Sequence, residues 1–325
     1  MTNGSEFDVQ VLGSGVVGLT TAITLAEAGL AVSVRTASPP GATTSVAAGA
    51  VWGPVTCGPP ARVRGWAKTG LAVLRELESD PAAGVRSRAG RELSRIPADP
   101  PPWIDMLDDL ELCRDGELPP GFVTGWRYTA PVVAMPVYLD YLAARLERAG
   151  VKVDVIPVTS LTEVTDDAHG APVVVNCTGA AARHLVPDPA VHPVRGQVVV
   201  VANPGIEEFY IDHSTPPPDV IYLFPHQDTV VLGGTMVDGD WDPDPRPEVA
   251  ERILADCAAV EPRVRDAPVL AHRVGLRPAR PEVRLEAVPL DGGRVLWHNY
   301  GHGGAGVTLS WGCAREVAAG VLGRD

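Results

Sequence analysis

Apolar and polar positions follow two rhythms along this chain, and their order predicts an α/β fold. Asp8 to Leu12 is a short apolar run with the length of a buried strand, followed by a glycine turn. From Leu19 to Ala28 the apolar positions keep to one helical face, and Gly29 stands where a helix would be capped. Ala31 to Arg35 then alternates as a second strand, which completes a β-α-β unit of parallel-crossover length. Tyr138 to Gly150 repeats the helical pattern with Leu139, Leu142 and Leu146. Val151 to Val158 and Pro172 to Asn176 are expected to return as strands to the same parallel sheet.

Between these pieces the pattern changes. Ala67 to Ser79 and Ala83 to Ser94 are charged stretches expected to be helical, and they run into the prolines of Pro97 to Pro102, so residues 61–135 read as an insertion outside the first sheet. Val198 to Val201, Ile221 to Phe224 and Thr229 to Leu232 are β-branched and aromatic runs that predict an antiparallel sheet. Glu248 to Val260 predicts a helix, and Val295 to Leu322 predicts a strand, a second glycine-rich turn and a helix. The expected architecture is a Rossmann-like domain with a parallel sheet, from residues 1–60, 136–196 and 285–325. The remaining 61–135 and 197–284 are assigned to a substrate domain with a mixed or antiparallel sheet.

Composition narrows the function classes. Lys and Arg total 27 against 40 Asp and Glu, a net charge of -13, which argues against nucleic acid or an anionic membrane as partner. No stretch reaches the roughly 18 uninterrupted apolar residues of a membrane span. Five scattered cysteines, without a CxxC pair, predict neither a disulfide framework nor a zinc site, and no metal is expected. The first residues lack the pattern of a secretory leader and the last four are not a peroxisomal address, so a cytoplasmic protein is the expectation.

The candidate chemistry lies in three segments. Gly13-Ser14-Gly15-Val16-Val17-Gly18 is a GxGxxG turn between strand and helix. Its glycines allow the turn, the approach of a pyrophosphate and close helix packing, while the amides at the helix start hold phosphate. The acid that should follow the second strand is missing. Arg35, Thr36 and Ser38 stand there instead, so a ribose contact from Thr36 or Ser38 and a 2′-phosphate on Arg35 both remain open, the latter implying an NADP enzyme. Gly275 to Glu282 places Arg277 and Arg280 in a proline-stiffened stretch suited to holding a carboxylate. Trp297 to Thr308 is the second glycine-rich approach to a helix, a shape that brings backbone against a flat ligand.

Those segments, with Thr43 to Gly49, Asn176 to Gly179 and Arg195 to Gln197, resemble the D-amino-acid oxidase family along nearly the whole chain. The resemblance is strongest in Arg277-Pro278-Ala279-Arg280-Pro281 and His298 to Gly304. It implies FAD as cofactor, with Gly13, Gly15, Val16, Val17, Gly18, Thr36, Thr43, Thr44, Ala48, Gly49 and Val158 near it. Gly303, Gly304, Gly306, Val307 and Thr308 would lie at the flavin ring. It implies that Arg280 and Tyr222 bind the substrate carboxylate and that the Gly304 carbonyl receives the amine. Trp52, Ile211, Tyr222 and Phe224 would form a mostly apolar pocket, with His213 at its wall and His302 structural. The implied reaction takes a neutral or apolar D-amino acid and O2 to a 2-oxo acid, ammonia and hydrogen peroxide, by hydride transfer from Cα to the flavin. Glycine or D-aspartate oxidases are the variants of the same chemistry, and a homodimer is compatible with it. One departure is Pro218, where the family often carries a second lid tyrosine.

Overall fold

The computed structural model describes residues 5–55, 57–114, 116–165 and 170–323. Its first sheet is built from β1 (Val9–Leu12), β2 (Val32–Thr36), β6 (Val153–Val155), β7 (Val173–Asn176), β14 (Arg284–Pro289) and β15 (Val295–Tyr300). They lie in the order β14-β15-β7-β1-β2-β6, parallel except for the β14-β15 pair. Helix α1 (Val16–Glu27) packs on it, α3 (Met135–Arg148) and α7 (Gly306–Val321) pack against α1, and α2 (Pro60–Leu77) packs against α7. Two single-turn helices, α4 (Thr162–Thr165) and α5 (Ala182–Leu185), fill the connections around β7.

The second sheet holds β3 (Val85–Ser94), β4 (Glu111–Leu112), β5 (Thr124–Val133), β8 (His192–Ala202), β9 (Phe209–Asp212), β10 (Asp219–Pro225), β11 (Thr229–Thr235), β12 (Val237–Asp238) and β13 (Val269–Ala279). Among the described residues the order is β12-β8-β11-β10-β9-β3-β5-β4, with β13 paired to β8. Helix α6 (Pro247–Val260) covers one face. The three β-branched runs form antiparallel neighbours, as their composition predicts.

One expectation fails in the middle of the chain. Residues 85–94 are a strand, not a helix, paired along their full length with β5 and in parallel with β9. The insertion therefore supplies interior strands of the second sheet. The charged residues on this strand mask its alternation, and Gly90 is needed because a methyl there would lie 2.2 Å from the Phe209 ring. Tertiary pairing has overridden local propensity.

The second sheet separates its side chains cleanly, because alternate residues of a strand face opposite ways. Leu93, Val199, Tyr210, Leu223 and Leu232 bury against α6. Val198, Phe209, Phe224, Trp126 and Tyr128 bury on the other side, in the core shared with the first sheet. The space between the two sheets is where the glycine turns and the inner face of the second sheet meet.

Candidate active site

The first turn has the geometry its glycines require. Gly13 has φ +101°, and a methyl on it would lie 2.6 Å from the Cys177 carbonyl oxygen. A methyl on Gly18 would lie 2.0 Å from the Gly13 carbonyl oxygen, so the helix can approach the strand only without a side chain there. Gly15 caps α1 with no side-chain hydrogen bond. Ser45 Oγ accepts from the Val16 amide at 3.0 Å, which ties the Thr43 to Gly49 segment to this helix end.

The second turn converges on the first. Gly301 (φ +86°) and Gly303 (φ +53°) bend the chain after β15, and α7 starts at Gly306 without a side-chain cap. A methyl on Gly306 would lie 3.9 Å from Val16 and 4.0 Å from Val17, so two helix N-termini lie side by side. Their aligned peptide dipoles favour negative charge between them. Thr308 Oγ1 exchanges 3.1 Å hydrogen bonds with Gly53, and Val307 is buried beside it. His302 is buried, with no partner for Nε2 among the described residues, and burial pushes its pKa down to about 4, so the imidazole is neutral.

At the end of β2, Thr36 is buried and its hydroxyl is already engaged with Ser14 Oγ (3.0 Å) and the Ser38 carbonyl (2.9 Å). Arg35 turns towards the Pro157 carbonyl (3.4 Å) and lies 4.0 Å from Glu163, so a carboxylate already stands beside the guanidinium that a 2′-phosphate would need. Val158 packs with Leu12, Val164, Val174 and Leu296.

On the inner face of the second sheet two glycines leave a floor. The Tyr222 ring lies over Gly233, where a methyl would be 1.8 Å from the ring. It stacks on Phe224 at 4.3 Å and also meets Gly49, bringing the Thr43 to Gly49 segment to its edge. The Arg277 guanidinium lies over Gly196, where a methyl would be 2.3 Å from it, and donates to the Thr235 carbonyl at 2.9 Å. Burial raises the Tyr222 hydroxyl's pKa while the nearby Arg277 charge holds it back. Opposite them stands Gly304, whose missing side chain would fall 3.7 Å from Arg277 Cδ.

Arg280, expected to bind the substrate carboxylate, is engaged away from the Tyr222–Arg277 pair. Its Nε donates to Asp188 at 3.1 Å and its other arm to the Glu282 carbonyl at 2.9 Å. Asp188 also accepts from Tyr300 at 2.9 Å. Arg277 and Arg280 are three residues apart at the end of an extended strand, and an odd spacing sends side chains to opposite sides. Arg277 shares the parity of Gly275 and Arg273 in β13, which is the signal that could have singled it out.

Trp52 is 1% exposed, and its indole N–H is used by the Ala67 carbonyl at 3.3 Å, so it backs the wall from inside the core. Trp103 meets it edge-on at 5.7 Å. His213 follows β9 and contacts Glu92 through Nε2. Thr43 donates to the Pro40 carbonyl at 2.8 Å, and Thr44 to the Leu276 carbonyl at 3.4 Å, one residue before Arg277. Ala48 is partly buried within the same segment.

A glycine-framed pair of helix ends thus faces a tyrosine–arginine pair on the second sheet. The chain belongs to the family described as FAD dependent oxidoreductase, matched over residues 8–319. It is 50% identical over 310 residues to a D-amino-acid oxidase of Rubrobacter xylanophilus, covering 95% of this chain and 94% of that one. A D-amino-acid oxidase of Streptomyces coelicolor is 45% identical over 317 residues (96% and 95%), and a D-aspartate oxidase of Homo sapiens 33% over 325 (95% and 93%). Among solved structures, glycine oxidase from Geobacillus kaustophilus superposes with a TM-score of 0.81 at 21% identity, covering 98% of this chain and 95% of that one, a likeness of fold. No helix among the described residues is long and apolar enough to cross a membrane.

Proposed function

We infer that this chain is an FAD-dependent D-amino-acid oxidase acting on neutral and apolar D-amino acids. The observation that carries the reading is the Tyr222–Arg277 pair, seated on Gly233 and Gly196 and facing Gly304. An arginine fork and a phenol side by side match a carboxylate's two oxygens. The high pKa of the buried Tyr222 keeps it a neutral donor. Gly304 follows the two bends of the second turn, so its carbonyl is the acceptor we assign to the substrate amine.

The residues fit FAD. Gly13, Gly15, Val16, Val17 and Gly18 would hold the pyrophosphate at the α1 end, with Thr43, Thr44, Ala48 and Gly49 along the flavin. Gly303, Gly304, Gly306, Val307 and Thr308 would lie at the ring, with the α7 end offsetting its charge. Bound FAD supplies the two-electron acceptor for the hydride leaving Cα. The chain's own task is orientation: fixing carboxylate and amine leaves Cα one approach to the ring, and position supplies most of the rate. The reaction is D-amino acid, O2 and water to 2-oxo acid, ammonia and hydrogen peroxide. Ile211 and Phe224 flank Tyr222 on the same face and support apolar side chains.

A cytoplasmic location is part of this reading, supported by five cysteines none of which is paired. A homodimer is the other part, supported by Ile96, Leu112 and Val123, which leave apolar surface exposed at the β4 edge. Sedimentation of the purified protein checks the latter. The test of the activity is the visible spectrum before and after anaerobic D-alanine or D-methionine, with L-enantiomers as controls. A yellow protein bleached by the D-forms alone is the expected result. A colourless protein that FAD cannot reconstitute would overturn it.

A further inference from the structure

A row of side chains crosses the inner face of the second sheet. Tyr222 pairs with Ile211, Ile211 with Glu92, and Glu92 with Trp126, and directly paired residues share a face. Glu92 therefore stands on the same wall as Tyr222, two strand spacings or about 10 Å away. His213 is two residues beyond Ile211 and lies on that face as well.

Glu92 is a buried acid, with its side chain 3% exposed, and three donors converge on it. Trp126 Nε1 donates to Oε2 at 3.1 Å, Tyr128 donates to Oε1, and His213 Nε2 contacts Oε2. Indole N–H is a donor only, and the Tyr128 hydroxyl is pushed far up by burial and by the adjacent carboxylate, so it too is a donor. This donor set complements an ionised carboxylate. His213 is different: its side chain is 38% exposed, it lies against the Trp126 ring at 5.3 Å, and its Nδ1 has no partner among the described residues. A neutral ring that donates from Nε2–H to Glu92 has Nδ1 as its acceptor.

We propose that Glu92 and His213 form the polar end of the substrate's side-chain pocket and select D-amino acids by side-chain charge. The pocket would take neutral side chains ending in a hydrogen-bond donor, such as an amide, and refuse a carboxylate. The proposal rests on the D-amino-acid reading above and deepens it. The orientation follows from the row: the substrate carboxylate sits at Tyr222 and Arg277, Ile211 covers the first methylenes, and a long side chain ends at His213. The lone pair of Nδ1 accepts from a donor there, and the Glu92 charge behind it repels an anion. A purely structural Glu92 would stabilise β3 and β5 without affecting substrate choice.

The test compares D-glutamine with D-glutamate, which have nearly the same shape and differ in charge, as kcat/KM at pH 8.5 with the FAD-loaded enzyme. A unit charge about 8 Å away, at an effective dielectric of about 20, changes such a ratio by roughly ten- to thirty-fold. Glu92→Gln should therefore lower the preference for D-glutamine by about tenfold. His213→Arg, at a position exposed enough to accept the change, should lower it similarly, and it serves if the Glu92 variant does not fold. A ratio within twofold of wild type in the folded variants overturns the proposal. D-methionine and D-alanine are assayed alongside. If neither reduces the wild-type flavin, the activity itself is refuted, which is a different result from an active enzyme whose ratio does not move.

Discussion

Exchanging the two arginines of one short segment tests the site most directly. Arg277 lies over Gly196 beside Tyr222, while Arg280 is paired to Asp188 and the Glu282 carbonyl. If Arg277 holds the substrate carboxylate, Arg277→Met removes two charge-assisted hydrogen bonds at once. Each contributes about 1.5–3 kcal/mol, and the Tyr222 hydroxyl retains part of the anchoring, so the net loss is about 3–4 kcal/mol. At about 1.4 kcal/mol per decade, kcat/KM should fall between roughly 10²- and 10³-fold. Most of this should appear in KM, with a smaller fall in kcat from the substrate's lost orientation. Arg277→Lys keeps the charge without the fork and should fall in between. Arg280→Met breaks a partly buried pair, but Asp188 keeps the Tyr300 hydroxyl and the Ala190 amide, so the cost is about 1–2 kcal/mol of stability. Its kcat/KM should stay within about threefold of wild type. Stopped-flow flavin reduction by D-methionine measures both effects, with flavin content confirming that each variant is loaded. An Arg280 variant as impaired as the Arg277 variant would refute the assignment.

Tyr222→Phe keeps the packing against Gly233, Gly49 and Phe224 and removes the hydroxyl alone, so KM should rise about fivefold, the worth of about 1 kcal/mol. Gly18→Ala places a methyl 2.0 Å from the Gly13 carbonyl oxygen, and the purified protein should carry less than a tenth of the flavin per chain by absorbance. Acid should destabilise the fold well above the carboxylate range. Burial lowers His226, His298 and His302 from 6.5 to about 4, so between those pH values the unfolded chain binds protons that the native one does not. Stability should therefore be full above about pH 6.5 and decline towards pH 4. For the fully buried His302 the shift of 6.5 − 4 = 2.5 corresponds to about 3 kcal/mol. Urea midpoints at pH 7.5 and 5 measure this, and His302→Gln should flatten the decline; equal midpoints for the wild type would contradict it.

Much of the first sheet was legible because its signals are local. A GxGxxG turn between an apolar run and a helical pattern needs only a few neighbouring residues to identify it, and the close contacts of Gly13 and Gly18 show why no other residue serves there. The same holds for the turn at Gly301 to Gly306 and for the β-branched runs that became β8, β10 and β11. Residues 85–94 were misread because their charged positions resemble a solvated helix, and only their pairing with β5 and β9 makes them a strand.

By itself the sequence determined the α/β class, the dinucleotide turn, the family and the pair of arginines from which the carboxylate site is drawn. Tertiary structure decided which arginine lies beside Tyr222, because a strand's parity and the glycines on neighbouring strands settle where a guanidinium can lie. It also decided that Glu92, more than a hundred residues from His213 along the chain, stands beside it on the wall that carries Tyr222. Cross-strand neighbours are set by register, and register is a property of the whole sheet that no local run of residues contains.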